Sequence, residues 1–188
     1  TAYAGSNVGA YTSNVSYAIA DGTGLATNYS ALAPSLAVAG SITAKPITIS
    51  APTIAAKVYD ATTAAGVITQ GTVSGLVGGQ TLTVTSSATA YSSANVGAAY
   101  TSTVSYTIAD GTGLATNYSA LATNNLTGLS ITPAPITYGG LTIAPKVYNG
   151  SAAAGVITPG TVAGTIGGQT LTVTPSATAY SSANVGAT

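Results

Sequence analysis

The stretch IADGTGLATNYSALA runs from Ile19 to Ala33 and again, letter for letter, from Ile108 to Ala122. An offset of 89 between identical fifteen-residue stretches constrains the fold more than any local pattern, because a chain with a fixed internal period is read as repeating units first. The register holds elsewhere: Asp21 with Asp110, Pro46 with Pro135, Lys57-Val58-Tyr59 with Lys146-Val147-Tyr148, and Gly78-Gly79-Gln80 with Gly167-Gly168-Gln169. On this reading residues 1–44 are the C-terminal part of one repeat, 45–133 a complete repeat, and 134–188 the N-terminal part of the next. Such a window is expected to be a piece of a longer tandem array. A period of about 89 residues suits one small sandwich of immunoglobulin-like size and is too long for one coil of a solenoid. With no disulfide available, each unit is expected to lean on its neighbours.

Local patterning predicts an all-β chain of tandem β-sandwich-like repeats. In YTSTVSYTIA, Val104, Tyr106 and Ile108 share one parity and Thr103, Ser105 and Thr107 the other, the period of a half-buried strand. Leu82 and Val84 alternate with Thr81, Thr83 and Thr85 in the same way. The complete repeat is predicted to carry strands near Ile47–Ile49, Ala55–Tyr59, Gly71–Ser74, Gln80–Ser86, Ala99–Ala109 and Ser119–Thr132. Helix signals are absent: there is no charged face and no capping box. ITPAPIT, with Pro133 and Pro135, reads as an extended joint between repeats.

Composition narrows function by exclusion. The only charged residues are Lys45, Lys57, Lys146, Asp21, Asp60 and Asp110, and there is no Arg, Glu, His, Cys, Met, Trp or Phe. Scattered Asp, Lys and Tyr do not make an acid–base pair, so no enzyme activity and no cofactor are expected. Without Cys or His no zinc site is implied. Zero net charge without Arg lacks the electrostatic footprint of a nucleic-acid binder. Thr, Ser and Gly interrupt every apolar run, so no membrane span is expected. A surface with 3% charge favours association, so the partners expected are neighbouring repeats and copies of the same chain.

KVYDATTAAGV at Lys57–Val67, KVYNGSAAAGV at Lys146–Val156, ANVGA at Ala94–Ala98 and ADGTGLATNYSAL at Ala109–Leu121 carry a family resemblance. The chain resembles the YDG-type and related tandem repeats of bacterial filamentous-haemagglutinin-like adhesins, with Lys-Val-Tyr-Asp-Gly-Thr, Lys-Asn-Val-Gly and Ala-Gly-Asn-Tyr landmarks in that order. It departs from them at Tyr59-Asp60-Ala61 and Tyr148-Asn149-Gly150, and at Ala94 and Ala183, where the family carries Lys. The resemblance implies an extracellular, non-catalytic β module at the bacterial cell surface.

The repeated loop offers Asp110 and Asn117 as candidate cation ligands, but one carboxylate falls short of the several oxygens calcium takes. The alternative is a turn in which Asp110-Gly111 and Gly113 set the geometry and Asn117 bonds to nearby backbone. Lys57, Asn117 and Asp110 together suggest an intramolecular isopeptide bond, in which a buried neutral amine attacks the Asn side chain; the alternative is a surface Lys lying along a strand. The tyrosines fill a core with their hydroxyls at the rim, or else form a face that stacks on host or surface glycans. Sequons at Asn14, Asn28, Asn117, Asn125 and Asn149 would accept glycans in a suitable compartment. The expected function is a structural repeat of a surface fibre or adhesin stalk. The alternatives are a subunit of a self-assembling filament or sheath, by lateral packing or strand exchange, and a carbohydrate-binding module.

Overall fold

The computed structural model describes residues 2–186. Thr1, Ala187 and Thr188, which the repeat reading assigns to the first and third repeats, lie outside the described residues. The chain is almost entirely strand and loop. Its strands are β1 (Gly9–Ser16), β2 (Ser35–Ile42), β3 (Thr48–Ile49), β4 (Thr53–Ile54), β5 (Lys57–Val58), β6 (Ile68–Thr69), β7 (Val73–Ser74), β8 (Leu82–Ala88), β9 (Gly97–Asp110), β10 (Asn124–Thr132), β11 (Thr137–Gly139), β12 (Thr142–Ile143), β13 (Ile157–Thr158) and β14 (Thr161–Ala163).

Two compact units share the chain. The first takes residues 1–53, 68–88 and 103–126, and the second takes 54–67, 89–102 and 127–188. In the first, β1 and β2 form an antiparallel hairpin, β3 pairs with β7, and β8 runs antiparallel to β9 from Leu82 opposite Asp110 to Ala88 opposite Val104. The core gathers Ile47, Tyr118 and Leu121, with Ile49, Val73, Leu76, Leu82, Val84, Tyr106 and Ile108 packed against them. Leu82, Val84, Tyr106 and Ile108 are inward residues that the alternation of the two strands predicts, because a side-chain period of two puts them on one face. In the second unit β11 pairs with β14, β12 with β13, and Ile131-Thr132 of β10 run parallel to β5.

Several strands depart from expectation. β4 and β6 are additional two-residue strands, and the strand predicted from Ser119 begins only at Asn124. Its first residues are drawn into the core by Tyr118 and Leu121 instead of pairing in a long ladder. Two 3-10 turns, Ala26–Asn28 and Ala115–Asn117, appear where no helix signal was read. They are single turns fixed by tertiary and side-chain bonds, which propensity does not report.

One turn positions a residue that matters below. Gly78 and Gly79 both have positive φ, 56° and 74°, and Gln80 N–H donates to Val77 O at 2.9 Å. Positive φ at both central residues is the type I′ pattern, open to glycine at little cost. Gly167 and Gly168 repeat it at 61° and 74°, with Gln169 N–H donating to Ile166 O at 3.0 Å.

Candidate functional site

The repeated loop is built by its aspartate. Asp110 closes β9, and its Oδ1 accepts the N–H of Ala115 at 2.7 Å, capping the turn Ala115–Asn117. In the other copy Asp21 Oδ1 accepts the N–H of Ala26 at 2.5 Å and caps Ala26–Asn28. An orphan donor at the start of a short helix needs such an acceptor, which gives the aspartate a structural task in both copies. The 110–117 loop is further moored to Thr81, whose N–H donates to Thr112 Oγ1 at 2.8 Å and whose carbonyl accepts from Gly113 at 3.1 Å.

Beyond the turn the chain docks. Lys45 N–H donates to Asn117 O at 2.9 Å, Ser119 N–H donates to Lys45 O at 3.0 Å, and Ile47 N–H donates to Ser119 Oγ at 3.3 Å. Tyr118 then enters the core, where its hydroxyl donates to Gln80 Oε1 and accepts the N–H of Val77 at 3.1 Å. Tyr118 and Leu121 are 5% and 7% exposed, and burial of such side chains contributes about 1.5–3 kcal/mol each. The same letters at Tyr29 and Leu32 are 70% and 57% exposed.

Asn117 looks outward from this anchor to a distant segment. Its Oδ1 accepts the N–H of Val8 at 2.8 Å and its Nδ2 donates to Asn7 Oδ1 at 2.9 Å, across 109 and 110 positions. Asp110 and Asn117 thus share one loop, each with its own hydrogen-bond partner.

Lys57 belongs to the second unit, where it clasps its own loop. Its Nζ lies 2.7 Å from Asp60 Oδ1 and donates to Thr62 O and Ala64 O at 2.9 Å each and to Thr62 Oγ1 at 3.0 Å. Asp60 Oδ1 also accepts the N–H and the hydroxyl of Thr62, both at 2.9 Å. The Lys57 ammonium, the Thr62 N–H and the Thr62 hydroxyl together hold the Asp60 carboxyl down at about 2. Lys146 makes the same clasp around Asn149: it donates to Ser151 O at 2.5 Å and to Ala153 O at 2.9 Å, while Ser151 N–H donates to Asn149 Oδ1. Residues 43–126 match the YDG domain. No curated protein and no solved structure matches the chain. Within this YDG domain the third letter of the motif is Ala61, whose φ of 63° lies in the left-handed region, where Gly150 sits at 71° in the other clasp.

Downstream of the YDG domain match, the second unit holds a mostly apolar groove of about 300 Å³. Pro133, Ala134 and Ile136 line it, with Gly164, Ile166, Gln169 and Leu171, and Tyr59, Asn95 and Val96 complete its wall. Gln169 Nε2 donates to Tyr59 OH at 2.7 Å, and its Oε1 makes no hydrogen bond among the described residues. Gln80, Gln169 and Thr81 escaped sequence reasoning. The signal available was the recurrence of Gly-Gly-Gln-Thr at Gly78 and Gly167, a turn that places a long amide at a fixed point.

The tyrosines divide among several settings. Tyr91 is buried and its hydroxyl accepts the N–H of Gly66 at 3.3 Å. It stacks on Tyr100 with ring centroids 5.1 Å apart, as Tyr3 does on Tyr11 at 5.3 Å. Tyr100 OH donates to Asn95 O at 2.6 Å and Tyr11 OH to Asn7 O at 2.8 Å, so these rings hold the two Asn-Val-Gly loops in shape.

Proposed function

We propose that this chain is a non-catalytic structural part of an extracellular bacterial surface fibre or adhesin stalk, built from tandem β-sandwich-like modules of about 89 residues. The observation that carries the reading is the grip of Asn117 on Asn7 and Val8. It ties one 89-residue period to the period before it through a side chain, and Gln169 holds Tyr59 across the same separation of 110. Contacts of this kind between successive periods give a linear array its stiffness, because each unit rests on its neighbour. The YDG domain match supports the reading, as does a surface carrying few charges.

The test is made on cells that produce the protein. Antibody against the chain should label unpermeabilised cells, external protease should remove the label, and the denatured native material should run as one long polypeptide carrying many such units. Label confined to permeabilised cells overturns the reading.

A further inference from the structure

Within residues 1–188 the fifteen letters IADGTGLATNYSALA occur twice, with one copy seated in a core and the other exposed. The groove of the second unit repeats, 89 positions on, the surface on which the seated copy rests. Ile47, Val77, Gln80 and Leu82 correspond to Ile136, Ile166, Gln169 and Leu171. The first four surround or bond Tyr118 and Leu121, and the second four line the groove. We propose that this groove is an acceptor site for the Ile19–Ala33 segment of a second copy of the chain, so that copies join head to tail.

Each contact of the proposed joint has a template in the first unit. Tyr29 OH donates to Gln169 Oε1 and accepts the N–H of Ile166, as Tyr118 does with Gln80 and Val77. The backbone of Asn28 and Ser30 pairs with Ala134, as Asn117 and Ser119 pair with Lys45. Asn28 reaches the Asn95-Val96 corner of the groove, as Asn117 reaches Asn7 and Val8. Leu32 covers Ile136, as Leu121 packs with Ile47.

Strand ends point the same way. β9 runs on to Asp110 because β8 pairs with it, whereas β1, with nearly the same letters, stops at Ser16. Residues 171–174, the counterparts of the start of β8, are not in a strand. In the joint they pair with Asp21 back to Ala18, following the register of Leu82 opposite Asp110, and Pro175 ends the ladder because it lacks an N–H. Donor and acceptor are different surfaces, so the contact is heterologous and propagates into linear chains. The inference does not depend on where in or on the cell the protein resides.

Sedimentation of the 188-residue chain tests it. The mass is expected to rise with concentration from 17.9 kDa through successive multiples. Tyr29→Ala/Leu32→Ala, which alters exposed side chains only, and Gln169→Ala/Ile136→Asp should each remain at the single-chain mass. Mixed together they should form a one-to-one complex and stop, since each supplies one working half. The free peptide IADGTGLATNYSALA should dissolve the wild-type oligomers, and the peptide with Tyr replaced by Ala should not. A wild-type chain that stays monomeric at all concentrations overturns the proposal, whether Tyr29 is open or already shielded within one chain. So do oligomers that persist in both variants.

Discussion

The Lys57 ammonium lies 2.7 Å from the carboxylate of Asp60, three residues along the chain, and the same carboxylate caps Thr62. The three donors favour the ionised form, so the Asp60 carboxyl should titrate near 2, below the ordinary value of about 3.9. With the folded-state value depressed, the stabilising contribution of the clasp is complete above about pH 4 and is lost as pH falls through 2. Carboxyl-carbon NMR across an acid titration reads this directly, and Lys57→Met should move the Asp60 midpoint back up.

The same pairing bears on covalent chemistry. An ammonium that donates to Asp60, Thr62 and Ala64 is a satisfied cation, not a neutral amine free to attack an amide. The intact mass of the chain should therefore equal the sum of its residues. Loss of one ammonia, mapped to Lys57 and Asn117, would instead establish the isopeptide bond.

Ala61 holds a left-handed φ of 63° that Gly150 adopts at 71° in the equivalent clasp. An L side chain there costs about 1–2 kcal/mol, partly offset by the added freedom glycine gives the unfolded chain. Ala61→Gly should stabilise the protein by about 0.5–1 kcal/mol, and Gly150→Ala should cost about 1 kcal/mol. Urea midpoints of the two variants against wild type check both signs.

Sequence patterns exposed the inward faces of β8 and β9, because alternation of Leu82 and Val84, and of Val104, Tyr106 and Ile108, follows directly from a pleat. They did not expose β4 or β6, since two-residue strands carry no period to read. The turn at Ala115–Asn117 was hidden for a different reason: it depends on a carboxylate five residues upstream, beyond the spacing at which a cap is sought. Asn117 was legible as a polar residue with a structural task, yet its partners Asn7 and Val8 lie a whole period away, and no local rule names them. The contrast between Tyr118 and Tyr29 was not legible at all, because identical letters carry identical propensity and only tertiary packing separates them.

If Asp110 is a cap, its value lies in accepting the N–H of Ala115. Asp110→Ala should cost about 1 kcal/mol, the usual loss for removing a cap acceptor, and Asp110→Asn should recover most of it. Calcium and a chelator should both leave the thermal midpoint unchanged. A rise in the midpoint with calcium that Asp110→Asn abolishes would restore the cation reading for Asp110 and Asn117.

Tyr118 and Tyr29 provide an internal control for the value of the docked loop. Removing the Tyr118 hydroxyl leaves Val77 N–H and Gln80 Oε1 without a partner in a part-buried setting. Tyr118→Phe should therefore cost about 1–3 kcal/mol, mostly from the groups left unpaired. Tyr29→Phe, at an exposed ring in the same sequence context, should change the stability of the dilute chain by less than about 0.5 kcal/mol. Chemical denaturation of both variants at low protein concentration separates the two. Equal losses would mean that Tyr29 already has a polar partner in the dilute chain, and that the difference in exposure between the two copies does not persist in solution.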